Sequence, residues 1–250
     1  MTDLLRFCRV SSTGRGKSGR FVEEMRFCYI CRMKRILLIA LAVLLASCKA
    51  GIKTGDLVFV GIPADYSLGE SEMDGAISAA TGSKDALNLI HVAILEVGKD
   101  TTWIIDATIK HGVDRHPLDT MLKEFTLKDG SQPTYIIKRL KDSRKAAQYV
   151  KNAKKFLGRP YDVWFSPDNE AMYCSELVRD SYRTPDGDYL FDAKPMNFKN
   201  EDGEFPLYWQ QLFALIGQSI PQDEPGTNPQ DMSSAPVLKT IPACLPTPSE

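Results

Sequence analysis

Several common signs of a biochemical role are missing from this chain. No glycine-rich loop of the kind that cradles phosphate is present, so a P-loop or dinucleotide-binding reading has no anchor. No stretch repeats at the periods of solenoid or propeller proteins. Lysine plus arginine (31) and aspartate plus glutamate (32) nearly cancel, for a formal net charge of -1. With no basic stripe interleaved with aromatics either, nucleic acid is not an expected partner. Histidine is scarce, at three residues. His111, Asp114 and His116 stand close together in HGVDRH, but that pattern matches no tight ligand spacing, so no metal and no other cofactor is expected.

Long apolar runs are scarce too. The best, residues 36–45, is about half the ~20 residues that span a hydrocarbon core. It follows Met33 and the basic pair Lys34-Arg35, and ends in Leu45-Ala46-Ser47-Cys48. That sequence has the form of a bacterial lipoprotein signal, cut before Cys48, with the Cys48 thiol and new amino group then acylated. The expected organisation is a leader upstream of the true start over 1–32, a signal peptide over 33–47, lipidated Cys48 and a short linker over 48–54, a folded domain over 55–220, and a proline-rich tail over 221–250 running irregularly across the surface. The expected location is the bacterial cell envelope, anchored to the membrane through Cys48. Lys49 stands where an aspartate often retains lipoproteins in an inner membrane, which favours the outer membrane.

Trimming leaves Cys174 and Cys244 in the folded part. An unpaired thiol in an oxidising compartment is a liability unless buried or used. A Cys174 to Cys244 disulfide is the bland alternative. Cys28-x-x-Cys31, alone in the leader, is poor evidence for zinc or redox chemistry.

The period-2 and period-3.6 patterns predict strands at Asp56 to Val60, in IHVAILEV and TTWIIDATI around the turn GKD, in HGVDRHPL, and in TYIIKRL. They predict helices at Met73, Ala76, Ile77 and Ala80, in LDTMLKEF, over DSRKAAQYVKNAKKFLG, after Cys174, and in YWQQLFALIG. Strands clustered before helices give an α+β fold.

Cys174 stands at the start of the amphipathic run SELVRDSY. A helix N-terminus favours an anion by only ~0.3–1 kcal/mol, so an imidazolium must supply most of any thiolate stabilisation. His91 opens one strand of the hairpin and Asp106 lies near the end of the other. A two- or four-residue turn makes Val97 face Thr102 and puts Asp106 on His91's face, diagonal to it; a three-residue turn separates them. A carboxylate on one imidazole nitrogen would leave the other for the thiol. Spacing alone leaves open a satisfied strand-end histidine and a solvated carboxylate.

GDLVF, HVAIL, IDA, FLGRPYD and YCSELV together resemble the YiiX-like group of circularly permuted papain-fold amidases, relatives of the NlpC-type cell-wall hydrolases. The resemblance spans residues 55–241, with histidine first, acid second and cysteine last. It implies a permuted papain-like fold, an antiparallel sheet packed against helices, with Cys174 as nucleophile, His91 as general base and Asp106 as its orienting acid. The acid is commonly glutamate in that group, so Asp106 is one methylene short. Tyr173, Tyr161 and Glu176 fall in the matching motifs as candidates for substrate or oxyanion contacts. Their plainer reading is two core aromatics and a first-turn carboxylate. The implied activity is hydrolysis of an amide in an acylated amino acid or cell-wall-type peptide through a thioester. The alternatives are a lipid acyltransferase or esterase with the same nucleophile, or an inert binding lipoprotein. The partners implied are a small amide, peptide or lipid substrate and the membrane.

Overall fold

The structure is a computed structural model, described for residues 51–63, 76, 87–167 and 169–246. The expectations for the leader, the signal and Cys48 lie outside those residues, as does the helical pattern near Met73, apart from Ala76.

The described strands are β1 (Leu57–Pro63), β2 (Leu87–Val97), β3 (Thr102–Thr108), β4 (Gly112–Pro117), β5 (Thr134–Leu140), β6 (Lys194–Pro195), β7 (Pro225–Gly226) and β8 (Leu238–Thr240). The described helices are α1 (Leu118–Glu124), α2 (Ala146–Ala153), α3 (Cys174–Ser181), α4 (Leu207–Leu215) and α5 (Pro229–Ser233), with a 3-10 turn at Lys154–Phe156 prolonging α2. One six-stranded sheet has the order β4-β3-β2-β1-β5-β8. Every neighbouring pair in it is antiparallel. β6 and β7 pair separately.

The sheet is covered on both faces, which is why its central strand reads as an almost unbroken apolar run. Val92 and Ile94 of β2 join Phe59, Ile105 and Ala107 in a core with Tyr149 and Val150 of α2 and Leu177 and Val178 of α3. The alternate residues, Ala93 and Leu95, join Val58 and Ile104 in a second core with Leu118, Met121 and Leu122 of α1. Period-2 alternation assigns each side chain to its face.

Two details differ from the sequence reading. β1 starts at Leu57 rather than Asp56, because the Asp56 N–H turns back to the Lys53 carbonyl at 3.0 Å, a turn that its carboxylate secures. It lies 1% exposed, accepts two bonds from the Arg139 guanidinium at 2.6 and 2.7 Å, and accepts the Lys53 N–H at 2.7 Å. The tail is not irregular surface chain: β8 completes the sheet beside β5, and Met232, Leu238 and Ile241 are buried. Its prolines are compatible with structure because Pro229 stands at the first position of α5, after the Asn228 cap, where no backbone donor is needed.

Arg139→Met would leave the Asp56 carboxylate buried without its cation. The expected loss is about 3–5 kcal/mol of stability, the usual cost of breaking one side of a buried pair, read as a lower denaturation midpoint in urea.

Candidate active site

α3 is built by spacing and by its cap. Cys174, Leu177, Val178 and Ser181 are buried at helical intervals, so one face packs on the sheet. At the N-terminus the Glu176 side chain reaches back to accept the Tyr173 N–H at 3.3 Å, the return arm of a capping box. Cys174 is the first residue of the helix and 5% exposed. Its backbone N–H is one of the donors that a helix cannot satisfy internally. Cys174 and Cys244 are both free, so the disulfide alternative is not formed.

The β2–β3 hairpin has an even turn: Val97 faces Thr102, and the Gly98 N–H donates to the Thr101 carbonyl at 3.0 Å, leaving Lys99-Asp100 at the tip. Regular pairing between these strands spans Ile94 to Val97 on β2. Upstream of it the His91 Nε2 meets Asp106 Oδ2 at 2.8 Å. On β2's other edge, Val60 faces His91 but Gly61 faces Leu89, so Ile90 is the extra residue of a bulge, a device that re-aims side chains. The His91 ring lies 4.8 Å from that of Phe125, and with Nε2 taken by Asp106 its Nδ1 is left free to face Cys174, which is close enough to influence the ring's charge.

The electrostatics follow from that chain of contacts. His91 is 6% and Asp106 1% exposed. Burial is the largest influence on His91 and opposes its charge; the negative charge of Cys174 and the hydrogen bonds to Asp106 and Cys174 together outweigh it and push His91 up to about 10. Glu176 is also displaced. Burial foremost, then the nearby Asp162 and Asp180 charges, raise its carboxyl to about 8, against the opposing Tyr173 N–H and Arg179.

A pocket of about 500 Å³, open mouth included, lies beside Cys174. Its walls are mainly apolar: Ile90 from the bulge, Tyr161, Phe165, Met196, Phe198 and Trp209. No Asp, Glu, Lys, Arg or His side chain lines it among the described residues. Phe165 holds a φ of +50°, a conformation bulky residues rarely adopt. The loop carrying it is fixed by Asp162, which accepts the N–H groups of Trp164 and Ser166 at 2.9 and 3.0 Å.

The sequence candidates therefore fall into two groups. Cys174, His91 and Asp106 converge, and Tyr161 stands in the pocket wall. Tyr173 and Glu176 hold the helix start: the Tyr173 hydroxyl accepts the Thr227 N–H at 3.1 Å, while Glu176 caps α3. Burial, with the charges of Glu176 and Cys174, pushes the Tyr173 phenol upward. Ser175 reinforces the same tie, donating to the Thr227 carbonyl at 3.0 Å. At Gly226 of β7 a Cβ would collide with Met196 and with the Tyr173 hydroxyl, so only glycine fits. The pocket walls from Met196 onward were not found by sequence reasoning, because no motif marks them.

A family model described as permuted papain-like amidase enzyme, YaeF/YiiX, C92 family, matches residues 51–242. The chain belongs to that family. It is 26% identical over 212 residues to YiiX of Escherichia coli (strain K12), covering 83% of this chain and 94% of that protein. The crystal structure of the metalloprotein YiiX from Escherichia coli O157:H7 superposes with a TM-score of 0.57 at 26% identity, covering 78% of this chain and 98% of that one. The permuted papain-like fold and the cysteine-type hydrolase class follow from family membership. The family match runs to residue 242, so the domain takes in most of the supposed tail.

Two outcomes check these electrostatics. In NMR titrations the His91 ring should remain charged well above pH 7 and discharge only as pH rises through about 10. Cys174→Ala, by removing an anion and a hydrogen bond, should move that midpoint down. For Glu176 the folded state holds a proton that the unfolded state has released between the ordinary 4.5 and about 8, so its contribution to stability falls as pH rises through that window. Glu176→Gln keeps the acceptor and should flatten the fall, read as melting temperature against pH.

Proposed function

We propose that this protein is a lipid-anchored cysteine amidase that cleaves an amide whose acyl side is apolar, through Cys174, His91 and Asp106. The observation that carries the reading is the 2.8 Å bond of His91 to Asp106, with Cys174 close enough to help raise the His91 pKa and itself bordering an apolar pocket. In the proposed reaction the Cys174 thiolate attacks the amide carbonyl. The oxyanion is held by the Cys174 backbone N–H, with the Tyr161 hydroxyl as the second donor. The His91 imidazolium protonates the departing amine, leaving a thioester. Neutral His91 then takes a proton from water, which attacks the thioester, and returns it to the sulfur as the carboxylic acid leaves. Asp106 fixes the tautomer and offsets the charge on His91 without itself changing protonation.

Pocket chemistry narrows the substrate. A cleft for a zwitterionic peptide end would present charged partners, whereas this one offers aromatic and aliphatic walls. Trp209, 2% exposed, adds its aromatic ring to the apolar wall. An acylated amino acid fits these walls better than a highly charged muropeptide. The same walls favour the second reading, transfer or hydrolysis of a lipid acyl ester, and the acylated Cys48 would bring either substrate's membrane within reach.

The solved YiiX is described as a metalloprotein. Among the described residues of this chain no group of three or more His, Cys, Asp or Glu side chains is arranged to hold a metal ion. The residues do not fit such a centre, and no step proposed here is routed through one.

The test is a panel of N-acyl amino acids, muropeptides and phospholipids, assayed with intact protein and with Cys174→Ala. The expected result is release of free amino acid from apolar N-acyl amides and a loss of turnover of about 10³-fold or more in the variant, in the range seen when a nucleophile is removed. Unchanged hydrolysis by Cys174→Ala would remove the claim. Acyl transfer between phospholipids with no amide cleavage would establish the second reading.

A further inference from the structure

Asp106 has two carboxylate oxygens and the reaction accounts for one. Oδ2 accepts from His91, while Oδ1 is buried with no hydrogen-bond partner among the described residues. A second histidine, His116, is 6% exposed, and neither of its ring nitrogens has a hydrogen-bond partner among the described residues. His116 Nε2 lies 3.7 Å from Asp106 Oδ1. Two buried polar groups of opposite capacity, side by side, are each expensive to leave unmatched and each is the other's obvious partner.

The sheet explains why they meet. In the β3–β4 ladder Ile104 faces His116 and Asp106 faces Asp114, so His116 and Asp106 share a face and stand diagonal to one another. His91 approaches the same carboxylate from β2 on the other side. Asp106 is thus flanked by histidines from both neighbouring strands. At 3.7 Å the gap is too narrow for a water to make two bonds of ordinary length and angle, and a small side-chain rotation closes it to a direct bond.

We propose that His116 is a positioning residue for the thiol-imidazole site, its Nε2–H donating to Asp106 Oδ1 and locking the carboxylate with Oδ2 aimed at His91. The relay then reads Cys174, His91, Asp106, His116. It rests on the reaction proposed above but adds a member outside the residues that touch substrate. The charged and titratable groups around His116 are Asp106 from β3, Asp114 from β4, whose Oδ2 lies 3.8 Å from Nδ1, and His111 from the intervening turn, its ring 6.2 Å away. His111 is itself held by Glu124 of α1 at 2.9 Å, and Lys110 meets the same carboxylate at 2.7 Å.

The test is the rate of Cys174 alkylation by iodoacetamide against pH, followed by peptide mass spectrometry on the whole protein, with melting temperatures alongside. His116→Phe keeps a ring and removes the donor; its rate at pH 7 should fall about tenfold, the effect of loosening one well-aligned hydrogen bond. His116→Gln restores an N–H and should recover most of the rate, even if its melting temperature matches that of the Phe variant. Equal losses in both variants, tracking melting temperature, or a wild-type profile in His116→Phe, would overturn the proposal. His91→Ala separates the two levels. If it abolishes neutral-pH reactivity while His116→Phe leaves it intact, only the role of His116 falls; if His91→Ala changes nothing, the thiol-imidazole reading falls and takes this one with it. Rates are compared with and without EDTA, and a His116 effect that vanishes in EDTA would place a cation between the two side chains and overturn the hydrogen bond.

Discussion

A positive charge on an imidazole sealed from water is unstable unless a fixed anion stands beside it, and the 2.8 Å contact between His91 and Asp106 meets that constraint here. Burial alone would strip His91 of its proton. The carboxylate of Asp106 and the sulfur of Cys174 reverse the outcome, and the geometry that permits both is a matter of strand parity. His91 and Asp106 must share one face of the sheet, with the α3 N-terminus reaching the ring from beyond the paired region. A one-residue slip in the β2–β3 hairpin would turn Asp106 to the other face and leave the histidine neutral.

That dependence explains what was legible in the amino-acid order. The turn at GKD had to contain an even number of residues for the pair to meet, and the observed pairing of Val97 with Thr102 meets that condition. The helix after Cys174 was legible because buried positions 174, 177, 178 and 181 repeat at helical spacing. The central strands were legible because both their faces are covered, which leaves little polar interruption. The same parity argument extends to β3 and β4: the pairing of Thr108 with Gly112 brings His116 to the face of Asp106. In HGVDRH the eye goes to metal spacing along the chain, whereas the informative separation runs across strands.

The pocket walls were hidden for a different reason. Phe165, Met196, Phe198 and Trp209 come from loops and from α4 and converge only through tertiary contact. Their rings pack edge to face, Phe165 against Trp209 at 5.4 Å and Phe198 against Trp209 at 5.1 Å, a preference that sequence spacing does not encode. Proline density in the last thirty or so residues suggested irregular chain, because proline removes a ladder donor. The residues that matter there are compatible with order: β8 is an edge strand, and α5 begins at Pro229. The buried tie between Thr227, Tyr173 and Ser175 then fastens this late segment to the start of α3.

The site gathers several features that are unfavourable on their own: a charged imidazole in the interior, the Glu176 carboxyl raised to about 8, and a phenylalanine at φ +50°. Each persists only if surrounding structure over-determines it. Here that structure is a sheet whose two faces carry separate apolar cores, with Asp56 and Arg139 joining β1 to β5 at one side and the Thr227 tie holding the α3 N-terminus at the other. Stability is drawn from the cores and the edges, and the strained groups are confined to one end of β2 and the helix start it faces. A cysteine hydrolase that must keep a thiol reactive without exposing it to solvent benefits from that division. Cys174 is 5% exposed and so screened from bulk solvent, yet it borders a pocket with mainly apolar walls.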